Sequence, residues 1–179
     1  MVVKIIQKEN KTLRKIAEKV QIEDLKKPKI KKILDDMNEA LDREYDGVAL
    51  AAPQIDVSLR IFIVSGKIFD ENFIRGHKIL ERVKARPNLV FINPVIKKMS
   101  KDKKLMAEGC LSVRPLYGKV RRATRASIEA YNEKGEKFEM EGSGLLAHIF
   151  QHETDHLNGI LFIDKAKDIH ESYPEEEYK

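Results

Sequence analysis

The sequence predicts an α+β fold in which short, mostly antiparallel strands pack around a central helix. Helical and extended patterns are mixed along the chain without the regular strand–helix–strand rhythm of a parallel sheet. Two neighbouring strand patterns, at 126–131 and 137–140, are joined by the turn residues 132–135, which is typical of an antiparallel hairpin. The last clear helical pattern runs from 145 to 157, and we expect the strands to surround it.

Two helices are predicted near the start of the chain, after a short strand at 2–6. Thr12 can cap a helix over 13–20, in which the apolar residues form one stripe. Pro28 suits the first turn of a longer helix, whose apolar residues recur at the helical period. That helix is expected to end at the turn residues 45–47.

Two strands are predicted in the middle of the chain. The first lies at 60–64, and the second lies at 89–92, where Asn93-Pro94 is expected to end it. The stretch 65–88 between them is mostly polar and irregular, with one short helical pattern around 79–83. A loop of this length inside a compact domain is typical of a functional or mobile segment.

The boundaries of the last helix are marked by residues with known positional preferences. Ser143 is a good N-cap, and Gly159 suits the position just after the helix. A short strand is predicted at 160–163. The remaining residues, 166–179, contain three consecutive glutamates, and we expect them to form a frayed acidic tail.

The length and the cysteine count restrict the class of protein. A chain of 179 residues can bury a core of its own, and we assign residues 1–165 to a single catalytic domain. Its only cysteine, Cys110, excludes an internal disulfide and any zinc site built from several cysteines. A lone cysteine is usually a small buried hydrophobic residue, so Cys110 needs a further reason to receive a chemical role.

The charge distribution indicates a solvated surface. Lys plus Arg number 34 and Asp plus Glu number 29, so the formal net charge is 34 − 29 = +5, with both signs interspersed. No nucleic-acid motif is present, and DNA is not expected as a partner. No apolar run approaches the roughly 20 residues of a membrane span, and the N-terminus resembles neither a signal peptide nor a transit peptide. These features predict a cytoplasmic protein without a membrane partner.

The strongest chemical signal is the sequence His152-Glu153-Thr154-Asp155-His156. On a helix, residues four apart lie on one face, so both imidazoles can bind the same metal ion. Glu153 lies beside them, where it can act as a general base on the attacking water. The motif indicates a metal-dependent hydrolase and leaves its class open.

Two histidines need a third ligand, and the chain offers two sources for it. In a zincin peptidase the third ligand comes from further along the chain, where the candidates are His170 and the glutamates at 171 and 175–177. Upstream, Cys110 follows a glycine, which lets the backbone approach an ion closely. A thiolate with two imidazoles is a recognised ligand set for a catalytic metal that keeps one position open, so Cys110 is the better candidate.

Three separated segments resemble the three motifs of peptide deformylases. Gly47 to Gln54 resembles the pattern Gly-x-Gly-Leu-Ala-Ala-x-Gln, Glu108 to Ser112 matches Glu-Gly-Cys-Leu-Ser, and Gln151 to Gly159 matches the core of Gln-His-Glu-x-x-Asp-His-Leu-x-Gly. The order and separations are also those of the family, and the likeness covers roughly residues 1–165. Ala49 departs from the first pattern, which has a second glycine there.

The resemblance implies an enzyme that removes the N-formyl group from the initiator methionine of new proteins and releases formate. Glu153 would take a proton from the attacking water and later give one to the departing amine. The side-chain amide of Gln54 and the backbone N–H of Leu111 would stabilise the oxyanion at the formyl carbon. The metal ligands implied are Cys110, His152 and His156.

The resemblance also implies a cofactor and partners. The cofactor is one divalent metal ion, iron(II) in the cell, and zinc, nickel or cobalt can occupy the same kind of site. The substrates are N-formylmethionyl nascent polypeptides in a bacterial-type cytoplasm. The ribosome is a further candidate partner, since such chains emerge from it.

A substrate pocket is predicted around the motifs. Its predicted residues are Gly47, Val48, Ala49, Glu108 and His148. His148 lies one turn before His152, and we expect it either to line the pocket for the methionine side chain or to be partly exposed. An alternative role for Glu108 is to pair with Arg122 and so fix the cysteine loop.

Two other functions stay open from the residues alone. A zincin-like peptidase would take a metal ligand from the tail and leave Cys110 without a role. A basic ribosome-associated binding protein would carry a degenerate site, and such a relic would be expected to lose Glu153 or a ligand first, yet none is lost.

Overall fold

Two antiparallel sheets frame the computed structural model, which describes residues 3–77 and 86–178. Their strands are, in chain order, β1 (Ala49–Ala51), β2 (Ile61–Val64), β3 (Leu89–Met99), β4 (Lys103–Gly109), β5 (Leu116–Ala123), β6 (Arg125–Tyr131), β7 (Lys137–Ser143) and β8 (Lys167–Glu171). The larger sheet has the order β1-β2-β3-β6-β7, and the smaller has the order β4-β5-β8. Each pair of neighbouring strands is antiparallel, as the hairpin pattern predicted.

Three α-helices accompany the sheets in the described ranges. They are α1 (Pro28–Asp42), α2 (Gly144–Leu157) and the four-residue α3 (Pro174–Glu177). α2 contacts β1, β6 and β7 of the larger sheet and β5 of the smaller one. The α+β class with a central helix is confirmed. Among the described residues, no helix combines the length and the apolar character that crossing a membrane requires.

Aromatic packing fixes α2 against the larger sheet. The Phe150 ring of α2 meets the Phe91 ring of β3 edge-on at 5.5 Å, and Phe91 stacks on Phe62 of β2 at 4.6 Å. All three rings are fully buried, and each contributes about 1.5–3 kcal/mol through its burial. Because His148 and Glu153 on α2 are also buried, the polar side of this helix faces the protein interior.

Two of the predicted strands are wrong. Residues 3–6 join no named strand, and a backbone hydrogen bond of 2.9 Å runs from the Ile6 N–H to the Gln54 carbonyl. The segment 160–163 leads instead into a 3₁₀ turn, Phe162–Asp164. Apolar β-forming residues do not make a strand unless a partner strand lies alongside, and the sequence pattern does not show that.

The helix predicted over 13–20 is also wrong. Only a 3₁₀ turn, Lys11–Arg14, forms there, and Ile16 is 75% exposed instead of buried in an apolar stripe. The backbone beyond this turn bonds to distant residues, since the Ala17 N–H donates to the Leu157 carbonyl at 2.9 Å. Tertiary hydrogen bonds therefore override the local helical spacing.

The strand expected to end at Asn93-Pro94 continues to Met99 as β3. Asn93 has a φ of 51°, and the register of β3 against β6 shifts beside it. The Asn93 side chain accepts from the Val20 N–H at 2.9 Å and donates to the Val20 carbonyl at 2.8 Å. A β-bulge held by this side chain accommodates the proline, which has no N–H to give to a ladder.

The segment predicted to be a frayed acidic tail contains a strand and a short helix in its described part. β8 pairs with β5, with Leu116 opposite Glu171, and α3 follows it. An acidic composition indicates that a segment is solvated. It does not show that the segment pairs with a strand, as β8 does with β5. The helix predicted around 79–83 lies outside the described residues.

Replacing Gly159 with alanine should destabilise the fold more than the same change at Gly144. Gly159 has a φ of +73°, and an added Cβ would lie 2.6 Å from the Arg14 carbonyl oxygen, whereas Gly144 has a φ of +54° with open space around it. The left-handed backbone costs alanine about 1–2 kcal/mol at either position, and the clash adds about 1–3 kcal/mol at Gly159. Urea unfolding of Gly159→Ala and Gly144→Ala measures the difference. Equal losses of stability would contradict this packing argument.

Candidate active site

The end of β4 and the middle of α2 bring three metal-ligating side chains together. The Cys110 Sγ lies 3.2 Å from the His156 Nε2, which in turn lies 3.2 Å from the His152 Nε2. The three ligand atoms all lie within 4.8 Å of one another. The two histidines are one turn apart on α2, and the cysteine comes from the smaller sheet.

The cluster fits a divalent metal ion. Bonds of about 2.3 Å to sulfur and about 2.0–2.1 Å to nitrogen, arranged as a tetrahedron, imply roughly 3.3–3.6 Å between ligand atoms. The two observed separations of 3.2 Å are close to that range. Two imidazole nitrogens that face each other also require a cation between them or a proton on one of them, because bare lone pairs repel. The donor set is that of a catalytic site with one position left for water.

Gly109 explains how β4 can deliver the cysteine. A Cβ on Gly109 would lie 2.4 Å from the Tyr117 Cε1, so the Tyr117 ring packs directly on the strand backbone. Gly109 and Tyr117 are partners in the β4–β5 ladder. The chain then turns, with the Val113 N–H donating to the Cys110 carbonyl at 2.9 Å. Only glycine leaves room for the ring at this strand end.

Glu108 is fully buried and connects the cluster to a second layer of side chains. Its Oε1 lies 2.6 Å from the His152 Nδ1, its Oε2 lies 2.7 Å from the His148 Nε2, and Arg122 donates to both oxygens. A carboxylate only accepts hydrogen bonds, so the His152 Nδ1 and the His148 Nε2, which face it, carry hydrogens. The other ring nitrogen of His152, the Nε2, then faces Cys110. Burial alone would raise the pKa of Glu108, but His152 and His148 hold that pKa well below its usual value.

Glu153 is the carboxyl group beside the metal-ligating cluster. It is 4% exposed, and its Oε2 has no hydrogen-bond partner within the described ranges. Burial raises the pKa of Glu153 to about 7. A carboxyl group with a pKa near neutrality can both accept a proton and return it, which is the requirement for a base that later acts as an acid.

The side chain of Gln54 is held with its amide nitrogen toward the cluster. Its Oε1 accepts from the Ala51 N–H at 2.8 Å, and its Nε2 donates to the Ser112 Oγ at 3.1 Å. The same Nε2 lies 3.5 Å from the Cys110 Sγ. Because the carbonyl end is engaged by the backbone, the donor end faces the site. Leu111 lines the cavity that adjoins it.

A cavity of about 60 Å³ lies beside these groups. Of the residues predicted for a substrate pocket, four line it, namely Gly47, Val48, Ala49 and His148. The fifth, Glu108, is not in the cavity wall and pairs with Arg122, as the alternative proposed. His148 is 2% exposed, which contradicts the alternative of a partly exposed histidine. Burial lowers the pKa of His148 to about 4, which keeps the ring neutral at pH 7.

Comparison with known proteins decides the family. The sequence model described as polypeptide deformylase matches residues 2–172. The chain belongs to this family. The peptide deformylase of Desulfitobacterium hafniense is 45% identical over 143 residues, which cover 78% of this chain and 80% of that protein. The peptide deformylase of Fusobacterium nucleatum is 39% identical over 165 residues, which cover 92% of this chain and 84% of that protein.

Solved structures of deformylases share the fold. A class I type b peptide deformylase from Acinetobacter baumannii, bound to Met-Ala-Ser, superposes with a TM-score of 0.79 at 32% identity, covering 92% of this chain and 98% of that one. The peptide deformylase from Legionella pneumophila has a TM-score of 0.75 at 35% identity, covering 94% of this chain and 88% of that one.

Two of the tail glutamates have partners outside the cluster. Glu175 accepts from the Tyr45 hydroxyl at 2.8 Å, and the Glu177 Oε2 lies 2.9 Å from the His170 Nε2. Among the described residues, the groups able to hold a metal include Cys110 with two α2 histidines and include no tail residue. The third ligand required by the peptidase alternative is therefore not supplied by these side chains.

Three further residues line the cavity of the deformylase and were missed by sequence reasoning. They are Arg75, Tyr117 and Tyr178. Arg75 lies in the irregular stretch at 65–88, and Tyr178 lies in the predicted tail, so neither belongs to a periodic pattern or to a motif. Only Tyr117 carried a local signal, since it follows closely on the Glu-Gly-Cys-Leu-Ser segment.

Replacing Arg122 with leucine should lower the free energy of unfolding of this deformylase by about 3–5 kcal/mol. Arg122 is 4% exposed and is paired with Glu108, which is fully buried, and with Asp155 at 2.7 Å. The Arg122→Leu change would leave the Glu108 carboxylate buried without its cation. Arg121 is exposed on the same strand, and Arg121→Leu is the matched control, expected to change stability by less than about 0.5 kcal/mol. Urea unfolding compares the two, and similar midpoints would contradict the prediction.

Proposed function

We propose that this deformylase hydrolyses the formyl amide of N-terminal formylmethionine at the site formed by β4, α2 and the Gln54 turn. The observation that carries the proposal is the convergence of three ligand atoms within 4.8 Å beside a buried carboxyl group. The products would be formate and a peptide with a free methionine amine. The ligands assigned are Cys110, His152 and His156.

One divalent metal ion is proposed for this ligand set. When bound, such an ion supplies Lewis acidity, which brings the pKa of a coordinated water into the neutral range. We propose iron(II) for the cell, as the family resemblance implies, and the same three donors accommodate zinc, nickel or cobalt. Glu108 supports the set from behind, because its hydrogen bond to the His152 Nδ1 orients that ring and makes it a stronger donor.

Glu153 is assigned as the proton carrier. Its pKa of about 7 lets it take a proton from the attacking water as the new carbon–oxygen bond forms. It then gives that proton to the departing amine when the carbon–nitrogen bond breaks. Its burial keeps bulk water from competing for the proton during these two steps.

Gln54 and Leu111 are assigned as donors to the oxyanion that develops on the formyl oxygen. The Gln54 amide is already oriented by the Ala51 N–H, so it needs no reorganisation when charge appears. Leu111 follows the cysteine directly and lines the same cavity, and its backbone N–H is the second proposed donor. One such donor contributes about 3–4 kcal/mol of transition-state stabilisation in other enzymes of acyl transfer.

The substrates proposed are N-formylmethionyl nascent chains in a bacterial-type cytoplasm, and the ribosome is proposed as the place where the enzyme meets them. The cavity walls built by Gly47, Val48, Ala49 and His148 would receive the first residue. Ala49 is 7% exposed and lines the cavity. A neutral His148 suits an uncharged methionine side chain better than an imidazolium would.

Release of formate from formyl-Met-Ala-Ser tests this function. The iron- or cobalt-loaded protein should release one formate for each free amine formed, and acetyl-Met-Ala-Ser should react far more slowly because its methyl group obstructs approach to the carbonyl carbon. Absence of formate from a metal-loaded preparation would overturn the proposal. Cleavage between Met and Ala without formate would instead support the peptidase alternative.

A further inference from the structure

The cavity beside the proposed catalytic groups is too small for the proposed substrate. Its volume is about 60 Å³, whereas sites for small ligands usually enclose about 300–1,000 Å³. A water molecule takes a share of about 30 Å³ in the liquid, so this space suits a few waters but not a methionine side chain with its formyl group. If the proposed function holds, one wall of the cavity has to move when the peptide binds.

One wall of the cavity is built from residues outside every sequence motif. Tyr178 lies with its ring beneath Arg75, whose Cζ is 3.9 Å from the ring centroid. The Tyr178 ring also meets the Tyr117 ring edge-on at 5.9 Å. Arg75 reaches the Ala107 carbonyl at 3.5 Å, a distance that makes this a weak hydrogen bond. All three side chains line the cavity.

The described contacts of the segment that carries Tyr178 are made by side chains and by a close backbone approach. A Cβ on Gly76 would lie 2.5 Å from the Pro174 carbonyl oxygen, so the two backbones touch there. Glu175 and Glu177 add the contacts to Tyr45 and His170 described above. α3 has only four residues, so few backbone hydrogen bonds form within it.

The other walls of the cavity are anchored far more strongly. The cysteine loop continues a seven-pair ladder between β4 and β5, and β1 is bonded along its length to β2. α2 is held by the buried aromatic rings of the larger sheet. Local opening starts where backbone ladders are absent, and no residue of the segment 174–178 belongs to a strand ladder among the described residues.

We propose that Tyr178, clamped beneath Arg75, is a specificity-determining residue that limits the size of the cavity and is displaced when a formylmethionyl peptide binds. In the free enzyme the ring occupies one side of the cavity that the proposed metal ligands also line. The peptide then binds only the fraction of molecules in which the ring has moved aside, so the apparent affinity is reduced by that fraction. This inference rests on the proposed function and adds a determinant of its substrate range.

Kinetics of the Tyr178→Ala variant test the proposal. KM for formyl-Met-Ala-Ser should fall about five- to tenfold, because the stacking and cation–π contacts that hold the wall closed are lost, while kcat stays unchanged. Tyr173→Ala is the matched control, since Tyr173 is 70% exposed in the same segment, and its KM should equal that of the wild type. An unchanged or increased KM for Tyr178→Ala would overturn the proposal.

A binding measurement separates this inference from the proposed function. The chain contains no tryptophan, so the Tyr178→Trp variant carries a single indole. Titration with Met-Ala-Ser should shift its emission to longer wavelength as the ring moves into water, and emission that stays constant through saturation would overturn the displacement. Formate release by the wild type tests the function independently, so a deformylase with an immobile Tyr178 would refute this inference alone.

Discussion

Replacing Glu153 with glutamine should reduce the rate of formate release by about 100- to 10,000-fold, the range that loss of a general base produces. Glutamine keeps the shape of the side chain but cannot take the proton of the attacking water. The wild-type carboxyl group has a pKa of about 7, which suits it to accept this proton. Because it is only 4% exposed, bulk water has little access to take over as the base. The measurement is kcat for formyl-Met-Ala-Ser with each protein fully loaded with the same metal.

The control for this experiment is Glu139→Gln, which removes the same charge from an exposed position on β7. Its kcat should equal that of the wild type. Metal content should be unchanged in Glu153→Gln, because this residue is not among the ligand atoms of the cluster. A Glu153→Gln protein that loses its metal, or that keeps more than a tenth of the wild-type kcat, would refute the assigned role.

Replacing Cys110 with alanine should abolish metal binding at micromolar ion concentrations. The change removes one of three proposed ligands and leaves the two imidazoles on α2. Loss of a residue that only hydrogen-bonds to a ligand already weakens metal affinity by about 10- to 100-fold. We therefore expect an affinity loss larger than that range and a parallel loss of formate release. Metal content after gel filtration, measured by atomic emission, provides the test.

The Cys110→Ser variant controls for side-chain size. A serine hydroxyl fills nearly the same space but stays protonated at neutral pH, so it should also fail to hold the metal. Both variants should keep the wild-type unfolding midpoint in metal-free buffer, since Cys110 is only partly buried. Full metal content in Cys110→Ala would show that the cysteine is not a ligand and that another side chain supplies the third one.

The local sequence pattern was sufficient to predict those helices that pack an apolar face against a sheet. The helical pattern predicted one helix beginning at Pro28 and another over 145–157, and both are present as α1 and α2. It was insufficient over 13–20, where the same kind of spacing occurs without a helix. The difference is that the longer helices pack an apolar face on a sheet, while the 13–20 segment bonds through its backbone to residues far along the chain.

The sequence alone determined the candidate chemical groups of this protein: a His-Glu-x-x-His helix, one cysteine in a Glu-Gly-Cys-Leu-Ser segment, and a glutamine after a run of small residues. These signals are local, because ligand type and helical spacing are properties of a few neighbouring residues. Only the tertiary structure decided that Glu108 contacts His152 from behind and that Tyr178 lines the cavity beneath Arg75. Those contacts join residues from different sheets and loops, and their positions depend on strand pairing and packing that no local pattern encodes.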